Sequence, residues 1–112
     1  MYKVLLSVGV LIASALVLAN DAEAPFLQEN DAAMAKMMAA MAVTPTGDVD
    51  RDFVATMVPH HQGAIEMAQA ELRYGHNEQL RRIAQEIIVD QTQEIAVMRQ
   101  AIGTAASPEA RP

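Results

Sequence analysis

The chain has 112 residues, with 14 Asp and Glu against 8 Lys and Arg, 3 His, no Cys and a formal net charge of −6. That length fits one domain, and the acidity has the wrong sign for gripping a phosphate backbone, so nucleic acid is not an expected partner. The absence of Cys excludes a disulfide framework, a thiolate metal site and a lipid-modified cysteine.

The first segment, MYKVLLSVGVLIASALVLA, has Lys3 ahead of an unbroken apolar run from Val4 to Ala19. It is expected to be a signal peptide over residues 1–19, cut after the small-residue pattern Val17, Leu18 and Ala19, with a weaker second cut after Ala24. The run is short for a membrane span, which needs about 20 apolar residues, so membrane attachment is expected only if the leader is retained. Export makes the cell envelope or the medium, periplasmic or secreted, the expected location. Removing residues 1–19 takes away only Lys3 from the charged residues, leaving 7 Lys and Arg against 14 Asp and Glu.

Residues 20–47 read as a Met-rich helix and a linker. Over Leu27 to Met41 the composition is Ala and Met, and Met34, Met37, Met38 and Met41 recur at i, i+3, i+4 and i+7, on one helix face. Val43 to Gly47, with Pro45 and Gly47, breaks the helix, and Asp48 or Asp50 can cap the next one. Residues 48–103 read as a helix hairpin. Its first helix is expected to reach Tyr74, ended by a left-handed Gly75, and its second to run from an Asn77 cap to Ile102, closed by Gly103. Residues 104–112 are expected to be a disordered tail.

The loop between the last two helices is so short that they must fold back antiparallel, with the first helix covering the open face. With aromatic content of only 4 % the core is modest, so a metal ion or a second copy of the chain is expected to add stability. Pro59 stands inside the second helix, where it either kinks the helix ahead of the histidines or starts it afresh.

The candidate chemistry lies on this hairpin. Phe53, Met57, His60, Ala64, Met67 and Glu71 form one stripe, with His61 beside it, so the histidines are expected to face the partner helix or lie close to it. Gln91 and Glu94 interrupt the apolar line of the last helix, which otherwise runs through Leu80, Ala84, Ile87, Ile95, Met98 and Ile102. For a turn near residue 76, level residues have numbers summing to roughly 152, which puts His61 level with Gln91 and Met57 level with Ile95, next to Glu94. Met57 can share an ion with His60 or His61 at helical spacing, whereas Met67 lies about 10.5 Å of rise from His60 and fits better in a second site with the first helix's methionines.

Thioether and imidazole together select Cu(I), or the similar Ag(I), over hard cations that want several carboxylates, and zinc gains nothing from Met. The plainer alternative is that the methionines fill a core and that the Met-rich face packs on another helix with no metal at all. His76 is expected to be an exposed loop residue.

The stretch DVDRDFVATMVPHHQGAIEMAQAELRYG, followed by RRIAQEIIVDQTQEIAVM, resembles the bacterial family called domain of unknown function 305, placed among ferritin-like helical folds. The resemblance implies an all-α fold, a ferritin-like antiparallel hairpin plus the N-terminal Met-rich helix, together a three-helix bundle. It also implies a periplasmic copper-binding role, with Met57, His60, His61, Met67, Gln91, Glu94 and Met98 as the site. Family members often carry a Met-His pair in the first helix; the corresponding place here is Met37-Met38, so an N-terminal site built with Met41 would be all thioether. Di-iron chemistry is not expected, because no Glu stands three residues before a histidine. Nor is an enzyme of any kind expected, there being no Cys and no Gly-rich turn to expose a nucleophile. The expected function is binding of copper, as Cu(I) first, with Cu(II) or Ag(I) as alternatives, for buffering, delivery or tolerance. The expected partners are copper-transport or efflux proteins of the envelope and a second copy of the chain.

Overall fold

The computed structural model describes residues 6–103, with side chains from residue 22 onward. The fold is all-α, as expected: α1 spans Leu6–Met41, α2 Val49–Tyr74 and α3 Glu78–Ala101, and no strand occurs among the described residues. The expected tail, 104–112, lies outside these residues, as do the first five residues of the expected leader.

The first helix is longer than the Met-rich segment that signalled it. From Leu6 the backbone is helical without a break through Pro25, whose missing N–H and bulky ring interrupt one turn but do not end it. The helix stops at Met41, ahead of Pro45, which disfavours a helical Thr44, and of Gly47, held at φ +90° where a side chain would be strained. Among the described residues no helix is long and apolar enough to cross a membrane.

Asp48 caps α2, its carboxylate accepting from the Arg51 amide at 3.1 Å. Asp52, one turn in, accepts from the Thr46 amide at 3.1 Å and from Thr46 Oγ1 at 2.6 Å, tying the linker to the helix. These bonds to Thr46 hold the Asp52 carboxyl below the usual carboxylate range. Pro59 lies in the interior of a continuous α2, so the alternative of a fresh start at that residue is not what the chain does.

Gly75 departs from expectation. It sits at φ −78° and ψ 155°, extended rather than left-handed. Its amide still donates to Glu71 O at 2.7 Å, while Leu72 O is met by Arg81 of α3, whose Nη1 donates to it at 2.6 Å and to Gly75 O at 3.1 Å. Asn77 caps α3 as expected, accepting from the Leu80 amide at 3.0 Å, and Gly103 at φ +79° follows the helix end.

The middle helix holds the bundle together. Val54, Val58 and Ile95 form the buried cluster between α2 and α3, extended by Ile65, Met98 and Ile102. On the other side, α1 packs against α2, and among the described residues α1 and α3 make no close approach. Helix α1 packs tightly on Gly63, where an added Cβ would lie 2.7 Å from Met37 Sδ and 2.9 Å from Met37 Cβ. One flank of this contact is ionic. Lys36 pairs with Glu66 at 2.5 Å, and Glu29 accepts from Arg73 Nη2 at 2.5 Å and from the Tyr74 hydroxyl at 2.7 Å.

Candidate metal site between α2 and α3

His61 projects from α2 toward α3 because its position shares the inward line of Val54, Val58 and Ile65. It is the one buried polar residue among those described, at 8 % exposure. Its Nε2 lies 2.5 Å from Oε2 of Glu94 on α3. An ionised carboxylate only accepts, so the ring donates from Nε2, and a neutral imidazole then carries its lone pair on Nδ1.

That Nδ1 is buried and has no partner, and the same is true of Gln91 Oε1. Each unpaired buried acceptor costs on the order of 1–3 kcal/mol. Two electron-rich atoms left without a donor in one helix interface are what a bound cation would satisfy. Sequence put His61 level with Gln91, but the side chain that His61 meets on α3 is Glu94, three residues further along, and Gln91 does not line the groove.

The offset between His61 and Glu94 also applies to Met57 and Met98, four residues before the first and four after the second. The thioethers therefore occupy the adjoining rung, about 6 Å along the helices. Met57, His61, Glu94 and Met98 all line one open groove of about 500 Å³. Phe53 and Val97 form its apolar rim, at 56 % and 62 % exposure, and Asp90 and Gln93 complete the α3 wall. Asp90, Gln93 and Val97 were not singled out from sequence, although each falls within one turn of Glu94, the neighbourhood from which a helical site is built.

This donor set suits a soft ion. Among the described residues no three His, Asp or Glu side chains converge in a way that could hold a metal, so an ion here would rely on thioether and amide donors beyond the His61–Glu94 pair. Hard divalent cations prefer several carboxylates, and zinc prefers His, Cys and carboxylate. Imidazole with thioether matches Cu(I) or Ag(I). A carboxylate on the second ring nitrogen of a ligating histidine is a common arrangement, fixing the ring and raising its basicity.

The other expected ligands stand elsewhere. His60 is exposed, its ring centroid 5.9 Å from that of His61 and its plane tilted by 59°, because consecutive helical positions diverge by about 100°. Met67 is half-buried and does not line the groove. Met37 is buried on Gly63, Met41 is half-buried at the end of α1, and Met38 is 60 % exposed. His76 is exposed in the loop, as expected. Since α1 does not reach α3, the first-helix methionines belong to a different part of the molecule from the groove.

Fold and groove together define a small three-helix protein whose central helix offers an imidazole to a carboxylate on its neighbour. The chain belongs to the family described as Domain of unknown function (DUF305), whose sequence model matches residues 18–102. No curated protein matches it.

Proposed function

We propose that this protein binds a soft metal ion, copper first, in the α2–α3 groove, and acts in buffering, delivering or tolerating copper after export to the cell envelope. The observation that carries this reading is the buried, partnerless Nδ1 of His61 in a groove that the thioethers of Met57 and Met98 also line, with a second unpartnered buried acceptor, Gln91 Oε1, on α3. Cu(I) is favoured over Cu(II) because two of the donors are neutral sulfur; Ag(I) shares that preference. Thioethers also keep their ligating form in an oxidising compartment where thiols would be lost to disulfides. The ion is cargo, exchanged with envelope transport or efflux proteins, and no catalytic role is assigned.

The competing reading is an interaction module, favoured by the exposure of Phe53 and Val97 at the groove rim. Titration with Cu(I) against a competing chelator separates the two. Metal binding predicts a dissociation constant tighter than micromolar, that is, more than about 8 kcal/mol of binding free energy. His61→Ala should weaken it at least tenfold. Affinity weaker than micromolar in the unaltered chain would overturn the proposal and leave the interaction module.

A further inference from the structure

The three helices lie side by side in one layer. On α2, turning about 100° per residue, the α3-facing residues Val54, His61 and Ile65 lie within about 60° of Val58 to one side, whereas Gly63, which meets α1, lies about 140° to the other. Helices α1 and α3 therefore flank α2 from nearly opposite sides, and the layer has two open faces.

Those faces differ in chemistry. One is ionic: it carries the Lys36–Glu66 and Glu29–Arg73 pairs along the α1 seam, and Arg51 and Arg99 beside the α3 seam. The other holds the groove, with Phe53 and Met57 of α2 and Val97 of α3. On α1, Glu29 and Lys36 lie about 80–100° to one side of Met37, so Leu27, Met34 and Met38, about 60–100° to the opposite side, belong to the groove's face. On α3, Leu80 and Ile83 turn about 60–120° from Ile95, the same way as Glu94 and Val97, whereas Val89 turns about 120° the other way. Seven of the ten exposed large hydrophobic side chains, on all three helices, thus share one face.

We infer that a second copy of this chain covers that face, closing two single layers into a two-layer, six-helix dimer. A helical domain ordinarily buries its apolar stripes between two layers, and this chain supplies only one. The shortfall shows in its interior, where no large side chain among the described residues is fully buried. The missing layer must be at hand whenever the chain is folded, which a second copy satisfies and an occasional partner does not. The area is sufficient: three helices about 10 Å across, the middle one of 26 residues and so about 39 Å long, present roughly 1,200 Å², against about 800 Å² per partner in a standard interface. No Lys or Arg of the described helices lies on the face, and Asp90 and Glu94 do, which argues against an anionic lipid surface as the occupant. Because the same patch is used on both copies, the contact is self-complementary and closes at two chains. The inference does not rest on the metal reading, although a second copy would also cover the groove.

Sedimentation equilibrium of the metal-free full chain tests it, with helicity followed by circular dichroism. A dimer with a dissociation constant of about micromolar or tighter is expected. Ile83→Glu on α3 and Met38→Glu on α1, both at exposed positions of the face and outside the groove, should each weaken it at least tenfold. Val89→Glu places the same charge at a similarly exposed position of α3 off the face and should leave it unchanged. Should the first two variants lose helicity, the unaltered chain supplies the second readout: Met38, 60 % exposed in the single chain, should resist oxidation by peroxide in concentrated solution and lose that protection on dilution. A chain still monomeric at about 100 μM overturns the inference and leaves the face to a partner of other composition. So does a dimer weakened by Val89→Glu but not by Ile83→Glu or Met38→Glu, an assembly that grows beyond two chains, or Met38 oxidation that is independent of concentration.

Discussion

His61 and Glu94, 33 positions apart, meet at 2.5 Å across the α2–α3 interface, with the imidazole buried and the carboxylate side chain 61 % exposed. The asymmetry matters for energetics and for ion entry. Water can reach Glu94 and replace it, so Glu94→Ala should destabilise the metal-free chain by about 1 kcal/mol, at the low end of the range for losing a partner to a buried group. Urea denaturation reads this. The same contact requires a proton on Nε2, so nitrogen NMR of the metal-free protein should show Nε2 of His61 protonated and Nδ1 carrying the lone pair wherever the ring is neutral. An Nδ1–H tautomer would remove the buried lone pair on which the groove site rests.

Met37 of α1 packs directly on Gly63 of α2, and two effects of Gly63→Ala oppose each other. Alanine favours the helix by about 1 kcal/mol. The added Cβ would lie 2.9 Å from Met37 Cβ, which the flexible thioether tail cannot relieve, and such overpacking costs about 1–3 kcal/mol. The net expectation is destabilisation by up to about 2 kcal/mol, with α1 loosened from α2. Hydrogen exchange of α1 amides should rise while the α2–α3 amides near Ile95 stay protected; unchanged exchange throughout would show that the close approach is not needed.

Much of this was legible in the sequence because helices announce themselves through period and punctuation. Asp48 and Asn77 were readable as caps, and the short 75–77 loop forced the antiparallel hairpin that brings His61 to α3, where it meets Glu94, three residues beyond the expected Gln91. Two things were not readable. Periodicity alone could not say that α1 would pack on α2 and stay clear of α3, because the Met-rich face of α1 is broad enough for several orientations. The splitting of His60 from His61 depended on that choice: with α3 on one side of α2 and α1 on the other, adjacent positions serve different interfaces. Gly75 misled for a local reason, since its amide reaches Glu71 O from an extended conformation and Arg81 serves Leu72 O.

The attachment of α1 should weaken on acidification. Hydrogen bonds from Tyr74 and Arg73 hold the Glu29 carboxyl below the usual carboxylate range. A group whose folded value is lowered contributes stability that is present above its unfolded value and is lost as pH falls through the folded one. Asp52 follows the same sign through its bonds to Thr46. The Tyr74 hydroxyl, raised by its bond to Glu29, contributes in the opposite sense, lost only as pH climbs past its raised value. Glu29→Gln should therefore lower the urea midpoint at neutral pH and lose that difference as pH drops below the carboxylate range. A difference independent of pH would assign Glu29 a packing role instead.

Met98 tests whether the groove's sulfur is a ligand or only a filler, because it is both packed against the Val54, Val58 and Ile95 cluster and exposed to the groove. Met98→Leu preserves the volume, and such exchanges usually cost less than about 1.5 kcal/mol. The substitution deletes the thioether while leaving the apolar contacts largely in place. Cu(I) affinity should fall at least tenfold, about 1.4 kcal/mol, while the urea midpoint moves little. The paired measurement is decisive because the two roles predict opposite patterns: a filler lets affinity stand and reports only through stability, whereas a ligand reports through affinity and leaves stability nearly alone. Met57→Leu, at the same rung on α2 and outside the buried cluster, should reproduce the loss of affinity with still less effect on the midpoint.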